Sequence, residues 1–257
     1  MDDSLMVDVA GLRMFGRPGL SPFVVKEDGL VGWDDGVDMR GERVSRPTGH
    51  GSFALPGLLD SRTVSVEGLI HARSAGELAL ARNRLAGVLA GGSLGRVQVA
   101  QAGVTQWAQG MLSAKPTVRR RRGTYYADFQ VQLWFPDPRQ FGDTQSFVRT
   151  NGAVSVFHRG NFDALPSIVV RGSAANGYRL NGPGGKQYRV SRPLVSGRPH
   201  RIEFGDGLLR VDGVLMPNGT DRSDVWPVPP GQDVSFDVNV LNGGTAEATI
   251  TVTDTYI

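Results

Sequence analysis

The sequence predicts a mainly β protein in two parts, a mixed β domain carrying a single α-helix and then an all-β sandwich or jelly roll. Three observations carry the prediction. Apolar and polar residues alternate with period two through most of the chain, the pattern of strands with one wet face. Helical spacing occurs only once. Glycine makes up 35 of 257 residues, roughly 14% against an ordinary ~7%, and follows no repeat, which indicates many tight turns between short strands.

Residues 1–60 are loop-rich, with Trp33 and the Asp34-Asp35 pair set among glycines, and no strand is assigned there. From 63 to 69, Val64 and Val66 face one way while Thr63, Ser65 and Glu67 face the other. Ser74-Ala75-Gly76-Glu77 is a capping box, and Leu78, Ala81, Leu85, Val88 and Leu89 follow on one helical face. Gly91-Gly92 supplies the left-handed stop, so the helix is expected over about 74–91, a rod of roughly 25 Å. From 125 to 135, Ala127, Phe129, Val131, Leu133 and Phe135 alternate with polar residues.

Pro136-Asp137-Pro138 and Gly142 stop that strand, which places one domain at 1–140 and the next at 146–257. In the second domain Asp212-Gly213 is a hairpin signal. Val234, Phe236, Val238 and Val240 alternate, Asn242-Gly243-Gly244 turns, and Ala246, Ala248, Ile250 and Val252 return, which reads as a second hairpin.

Hydrophobic residues at 40% and charged residues at 21% exclude a disordered chain. The absence of cysteine removes disulfide scaffolds, thiolate metal sites and cysteine nucleophiles together. The start, Met1-Asp2-Asp3-Ser4-Leu5, has no basic region leading into an apolar run, and no stretch reaches the ~18 apolar residues of a membrane span. The expectation is a soluble protein made in the cytoplasm. A net charge of +3, with 25 of 28 basic residues Arg, is too mild to argue for nucleic acid.

Motifs with chemical promise fail on spacing. Gly49-His50-Gly51-Ser52-Phe53 is not G-x-S-x-G. Gly182-Pro183-Gly184-Gly185-Lys186 lacks the first Gly and the closing Ser or Thr of a phosphate loop, and reads as a turn. His50, His71, His158 and His200 have no ligand spacing. No acid, base and nucleophile come together, so no catalytic site, metal or cofactor is expected and the protein is read as structural or binding.

Two features remain. Arg119, Arg120, Arg121 and Arg122 fall between 111–118 and 125–135, at the expected tip of a long hairpin, where they are either solvated or poised against an acidic partner surface. Trp226, Tyr178, Tyr188 and Phe162 lie in the β-rich half and are either core or stacking platforms for a sugar.

Arg46-Pro47-Thr48-Gly49-His50-Gly51-Ser52-Phe53, Arg62-Thr63-Val64-Ser65-Val66-Glu67-Gly68, Phe135-Pro136-Asp137-Pro138-Arg139, Gly160-Asn161 with Pro166-Ser167-Ile168, Val211-Asp212-Gly213 and Trp226-Pro227-Val228-Pro229-Pro230-Gly231 occur in this order. In this series the chain resembles the distal tail proteins of bacteriophages with long, flexible, non-contractile tails. The resemblance implies a tail-tube-like N-terminal β domain that closes into a homohexameric ring. It also implies a galectin-like or carbohydrate-module-like C-terminal sandwich. The ring would join the tail tube to the tail-tip hub, near the tape-measure protein, and leave a channel for DNA in the virion. The H-x-N-P-R string of galectins is absent, His158-Arg159-Gly160-Asn161 being the nearest. The sandwich then docks receptor-binding proteins or, as the competing reading, binds cell-wall carbohydrate through Trp226, Tyr178 and Tyr188. Neither specific nucleic-acid binding nor membrane insertion is expected.

Overall fold

The computed structural model describes residues 5–42 and 44–257; the acidic start at 1–4 lies outside them. The protein is mainly β. It divides into two compact units, one running to Gln140 with Ile257, the other Phe141–Tyr256.

The first unit holds β1 (Met6–Val9), β2 (Leu12–Phe15), β3 (Phe23–Val31), β4 (Met39–Arg40), β5 (Leu58–Leu59), β6 (Arg62–His71), α1 (Ala75–Gly87), β7 (Gly95–Gln101), β8 (Val104–Leu112), β9 (Thr117–Arg120) and β10 (Tyr126–Phe135). Seven of the strands close a barrel in the order β8-β7-β1-β2-β3-β6-β10, with β10 meeting β8 again at Leu133↔Leu112 and Trp134↔Met111. Every pairing is antiparallel except β2 with β3, which touch at Phe15↔Val24. β9 takes over from β8 along the same edge of β10, pairing Thr117 to Arg120 with residues 130 to 127.

Alternation sets the interior. Val64, Val66 and Ile70 from β6 and Ala127, Phe129, Val131, Leu133 and Phe135 from β10 are all buried. Phe23 meets Phe129 edge-on at 5.8 Å, and Trp33 meets Phe135 edge-on at 5.9 Å. Gly110 is required beside Phe135, because a Cβ there would lie 2.6 Å from the ring.

The helix starts as its sequence predicts and stops early. Ser74 Oγ accepts the Glu77 amide at 3.1 Å, while the Glu77 carboxylate accepts the amide of Arg73, one residue ahead of the cap itself, at 2.8 Å. Leu78, Ala81, Leu85 and Val88 are buried, Leu89 partly so. α1 ends at Gly87 and not near residue 91, because Val88 adopts an extended conformation that carries its side chain into the core. Leu89 then takes the left-handed turn at φ +50.

The second unit is a two-sheet sandwich. It contains β11 (Gln140–Thr150), β12 (Gly152–Val156), β13 (Ser167–Ser173), β14 (Tyr178–Asn181), β15 (Gln187–Val190), β16 (His200–Glu203), β17 (Leu208–Val211), β18 (Val214–Leu215), β19 (Thr220–Ser223), β20 (Val234–Val240) and β21 (Thr245–Tyr256). One sheet runs β18-β17-β16-β13-β21-β11 and the other β12-β20-β14-β15-β19. The Asp212-Gly213 turn joins β17 to β18 with both residues at positive φ, as a two-residue hairpin requires.

The second expected hairpin is not one. β20 pairs with β12 and β14, and β21 with β13, so Asn242-Gly243-Gly244 carries the chain from one sheet to the other. The reason is burial. Phe236 and Val238 must face Ala248 and Ile250 across the core, and three consecutive residues at φ +59, +91 and +110 turn the chain over.

Candidate functional site

The arginine hairpin is short. β9 and β10 pair over four residues, and the Arg121 amide donates to the Tyr126 carbonyl at 3.0 Å to close the turn. Its arginines are not equivalent. Arg121 grips Asp128 with a two-pronged contact, Nε to one carboxylate oxygen at 3.0 Å and Nη2 to the other at 2.9 Å, with Lys26 Nζ 3.8 Å from the same group. That hydrogen bonding holds the Asp128 carboxyl below its usual range. Arg119, Arg120 and Arg122 are exposed and, among the described residues, have no carboxylate partner. The hairpin thus presents three guanidiniums with no carboxylate in contact among the described residues, Arg119 and Arg120 on the edge strand and Arg122 in its turn. Such charges block strand-to-strand pairing with a random partner and attract an acidic surface.

Arg62 was not singled out by the sequence, and the opposite end of β6 and β10 depends on it. Arg62 is 4% exposed. Its Nη1 donates to the carbonyls of Gly32, Trp33 and Asp35 at 2.9, 2.9 and 2.7 Å, and its Nε to the Pro138 carbonyl at 3.1 Å. Gln140 Nε2 adds a second bond to the Trp33 carbonyl at 2.7 Å. Burial lowers the Arg62 pKa, against the nearby carboxylates of Asp35 and Asp34, which raise it. One guanidinium therefore ties the loop after β3 to the chain leaving β10. The buried Trp33 rests in this knot.

The aromatic candidates lie elsewhere and are not platforms. Trp226 is 1% exposed, and Tyr178 and Tyr188 are fully buried. The expectation that they stack on a sugar is corrected. Trp226 packs against Phe204 at 4.8 Å and Phe236 at 5.2 Å, in the centre of the sandwich. Gly182 is glycine because a Cβ there would strike the Trp226 ring. The Tyr188 hydroxyl donates to the Gly207 carbonyl at 2.9 Å, and burial pushes its pKa up to about 12. Tyr178 contacts His200 at 3.3 Å, and burial raises its pKa well above the usual tyrosine value. Phe162 is half-buried.

His50-Gly51-Ser52 falls in an exposed loop, with Gly51 at φ +86. Pro183–Gly185 is a single 3₁₀ turn between β14 and β15. Among the described residues no three His, Asp or Glu side chains gather as a metal site needs.

No protein-family model matches the chain, and no curated protein matches its sequence. Solved structures do match its fold. The Dit protein of phage SPP1, described as a paradigm of the hub adsorption apparatus in phages infecting Gram-positive bacteria, superimposes with a TM-score of 0.74 at 14% identity, over 98% of this chain and 99% of that one. A chain of the activated phage p2 baseplate with strontium has a TM-score of 0.48 at 7% identity, covering 96% and 97%. The calcium form gives 0.46 at 8%, with the same coverage. The chain therefore has the fold of SPP1 Dit from end to end.

Proposed function

We propose that this chain is a structural protein of a phage tail tip, of the distal tail class. In this reading the barrel unit of six copies closes a ring between the tail tube and the tip hub, with a channel for DNA. The observation that carries it is the fold correspondence with SPP1 Dit across essentially the full length of both chains. A ring of identical subunits needs a heterologous contact, in which two different patches meet and the rotation closes after a fixed number of copies. An edge strand bearing Arg119 and Arg120, with Arg122 in its turn, is suited to be one such patch. The tail-tube, hub and tape-measure proteins are the partners of this reading, and a receptor-binding protein is the partner of the sandwich. No step of bond chemistry is required of any residue.

Negative-stain electron microscopy of the concentrated protein, alone and mixed with purified tail tubes, tests the ring. Sixfold annuli, free or capping the tubes, are expected. Single particles in both samples would sink the reading. The hairpin is tested separately by reversing Arg120 and Arg122 to Glu while leaving Arg121, whose bond to Asp128 belongs to the fold, and Arg119, which stands opposite Asp128 in the register. Assembly is expected to vanish with the melting temperature unchanged; intact annuli from that variant would remove the hairpin from the contact.

A further inference from the structure

The outer face of the five-stranded sheet carries an arrangement that sheets ordinarily avoid. On β14 and β15, Tyr178, Leu180, Tyr188 and Val190 point into the core, which turns Arg179, Asn181, Gln187 and Arg189 outward. The register sets Arg179 directly opposite Arg189, and Arg189 directly opposite Arg222 on β19. Three guanidiniums thus line up across three neighbouring strands, about 5 Å from one to the next at Cβ, and like charges directly opposite destabilise a sheet.

Two of the three are compensated from the sheet edge. Arg189 Nε lies 3.3 Å from an Asp221 oxygen, and Arg222 Nη2 lies 2.6 Å from Asp224. Arg179, in the interior of the sheet, is exposed and has no carboxylate among the described residues.

The next row along the strands has a different chemistry and is already ordered. Asp237 on β20, Asn181 and Gln187 stand side by side. Gln187 Nε2 donates to Asn181 Oδ1 at 2.9 Å, and Asn181 Nδ2 donates to Asp237 Oδ2 at 3.1 Å. Asn239, opposite Arg179, donates to the same Asp237 oxygen at 2.7 Å. Each amide keeps a donor or acceptor for solvent, in fixed positions. A flat face with a row of cationic forks beside a row of oriented amides and a carboxylate has the donors for an anionic group and the mixed partners for hydroxyls.

We propose that this face binds an anionic, hydroxyl-bearing polymer, with Arg179 taking the phosphate or carboxylate and the row of Asn181, Gln187 and Asp237 taking hydroxyls. Charge complementarity selects the occupant, because an anion lying over Arg179 and Arg189 removes the repulsion that the bare sheet retains. A neutral glycan would leave it in place. The site is distinct from the buried aromatics, and it does not depend on ring assembly.

The test uses the full chain and three immobilised polymers, a poly(glycerol phosphate), a polyuronate and a neutral dextran, with duplex DNA as a competitor, at about 0.15 M salt. Retention on the phosphate or the uronate polymer and not on dextran is expected, and which of the two is retained identifies the anion. Arg179→Ala is expected to weaken binding at least tenfold while leaving the melting temperature equal or higher, since it removes a like-charge neighbour. Asn181→Ala is expected to weaken it severalfold. No retention on either anionic polymer, binding untouched by Arg179→Ala, or DNA competing as well as the free polymer would each overturn the proposal. The melting temperature of Arg179→Ala also separates lost contact from lost fold: a fall of several degrees would overturn the account of the arginine row.

Discussion

Replacing Arg62 by Ala tests whether one guanidinium holds the end of the barrel. The substitution removes four donated hydrogen bonds to carbonyls. Among the described residues, the Trp33 carbonyl keeps a donor, Gln140 Nε2. Bonds from a charged donor contribute about 1.5–3 kcal/mol each when buried and less when solvent can replace them. The carbonyls of Gly32, Asp35 and Pro138 belong to residues that water reaches in part. Relief of the buried charge acts in the other direction. The expected net loss is about 3–5 kcal/mol. For a cooperative unit of about 140 residues, an unfolding entropy of ~2.1 cal/mol/K per residue converts this into a midpoint roughly 10–17 °C lower. Differential scanning calorimetry of the full chain reads it, and Arg62→Lys, which keeps the charge but not the planar fork, is expected to recover less than half. A midpoint within about 2 °C of wild type would show that the loop after β3 stands without the brace, and the reasoning fails.

Three further outcomes follow from the packing. Trp226→Ala empties the centre of the sandwich and is expected to cost about 3–5 kcal/mol in urea denaturation; a silent substitution would contradict its burial. Ser74→Ala removes the Oγ that caps α1 and is expected to cost about 1 kcal/mol, whereas Ser74→Asp should nearly restore it, checked in the same way. His200 is held below its ordinary 6.5 by burial first and by the charge of Arg192 next. The unfolded chain therefore binds more protons below about pH 6.5, so the contribution is complete above that value and is lost as pH falls toward the native pKa. Melting temperature is expected to decline from about pH 7 to about pH 5, with a shallower slope in His200→Gln; equal slopes would refute the assignment.

What the sequence disclosed and what it withheld divide along the range of the interaction. Ser74 and Glu77 are three residues apart, so the helix start could be read locally, whereas its end was decided by the demand of the core for Val88. Period-two alternation marked β6 and β10 because one face of each is wet. Closure of the barrel through Leu133 and Leu112 left no trace in either strand alone. Asn242-Gly243-Gly244 was legible as a turn but not as a change of sheet, since the same backbone angles serve both. The arginine run was visible as charge, yet the register sets Arg119 opposite Asp128, and only the side-chain geometry of the turn reveals that Arg121 is the one committed to it. Arg62 had a signal that went unread: it shares the parity of Val64 and Val66, so a strand beginning there points it inward. Of the aromatics left as core or platform, Tyr178 and Tyr188 show the converse, since their alternation with Arg179 and Arg189 already assigned them to the core, whereas Trp226, between strands, carried no such signal. The same alternation brought the arginines to the surface.

The place of β21 in its sheet has a consequence for how the second unit comes into being. It lies between β13 and β11, with Thr253 Oγ1 2.9 Å from Thr144 Oγ1 across 109 residues of chain. During synthesis both neighbours leave the ribosome long before the strand that separates them. Until residues 245–256 follow, β11 and β13 expose unpaired backbone edges, and the half of the core lined by Ala246, Ala248, Ile250 and Val252 is missing. No local nucleus can substitute, because the pairing that completes the sheet spans nearly the whole unit. The sandwich is therefore expected to form in one late, non-local step, and a nascent chain stalled before residue 245 to be the species most exposed to aggregation.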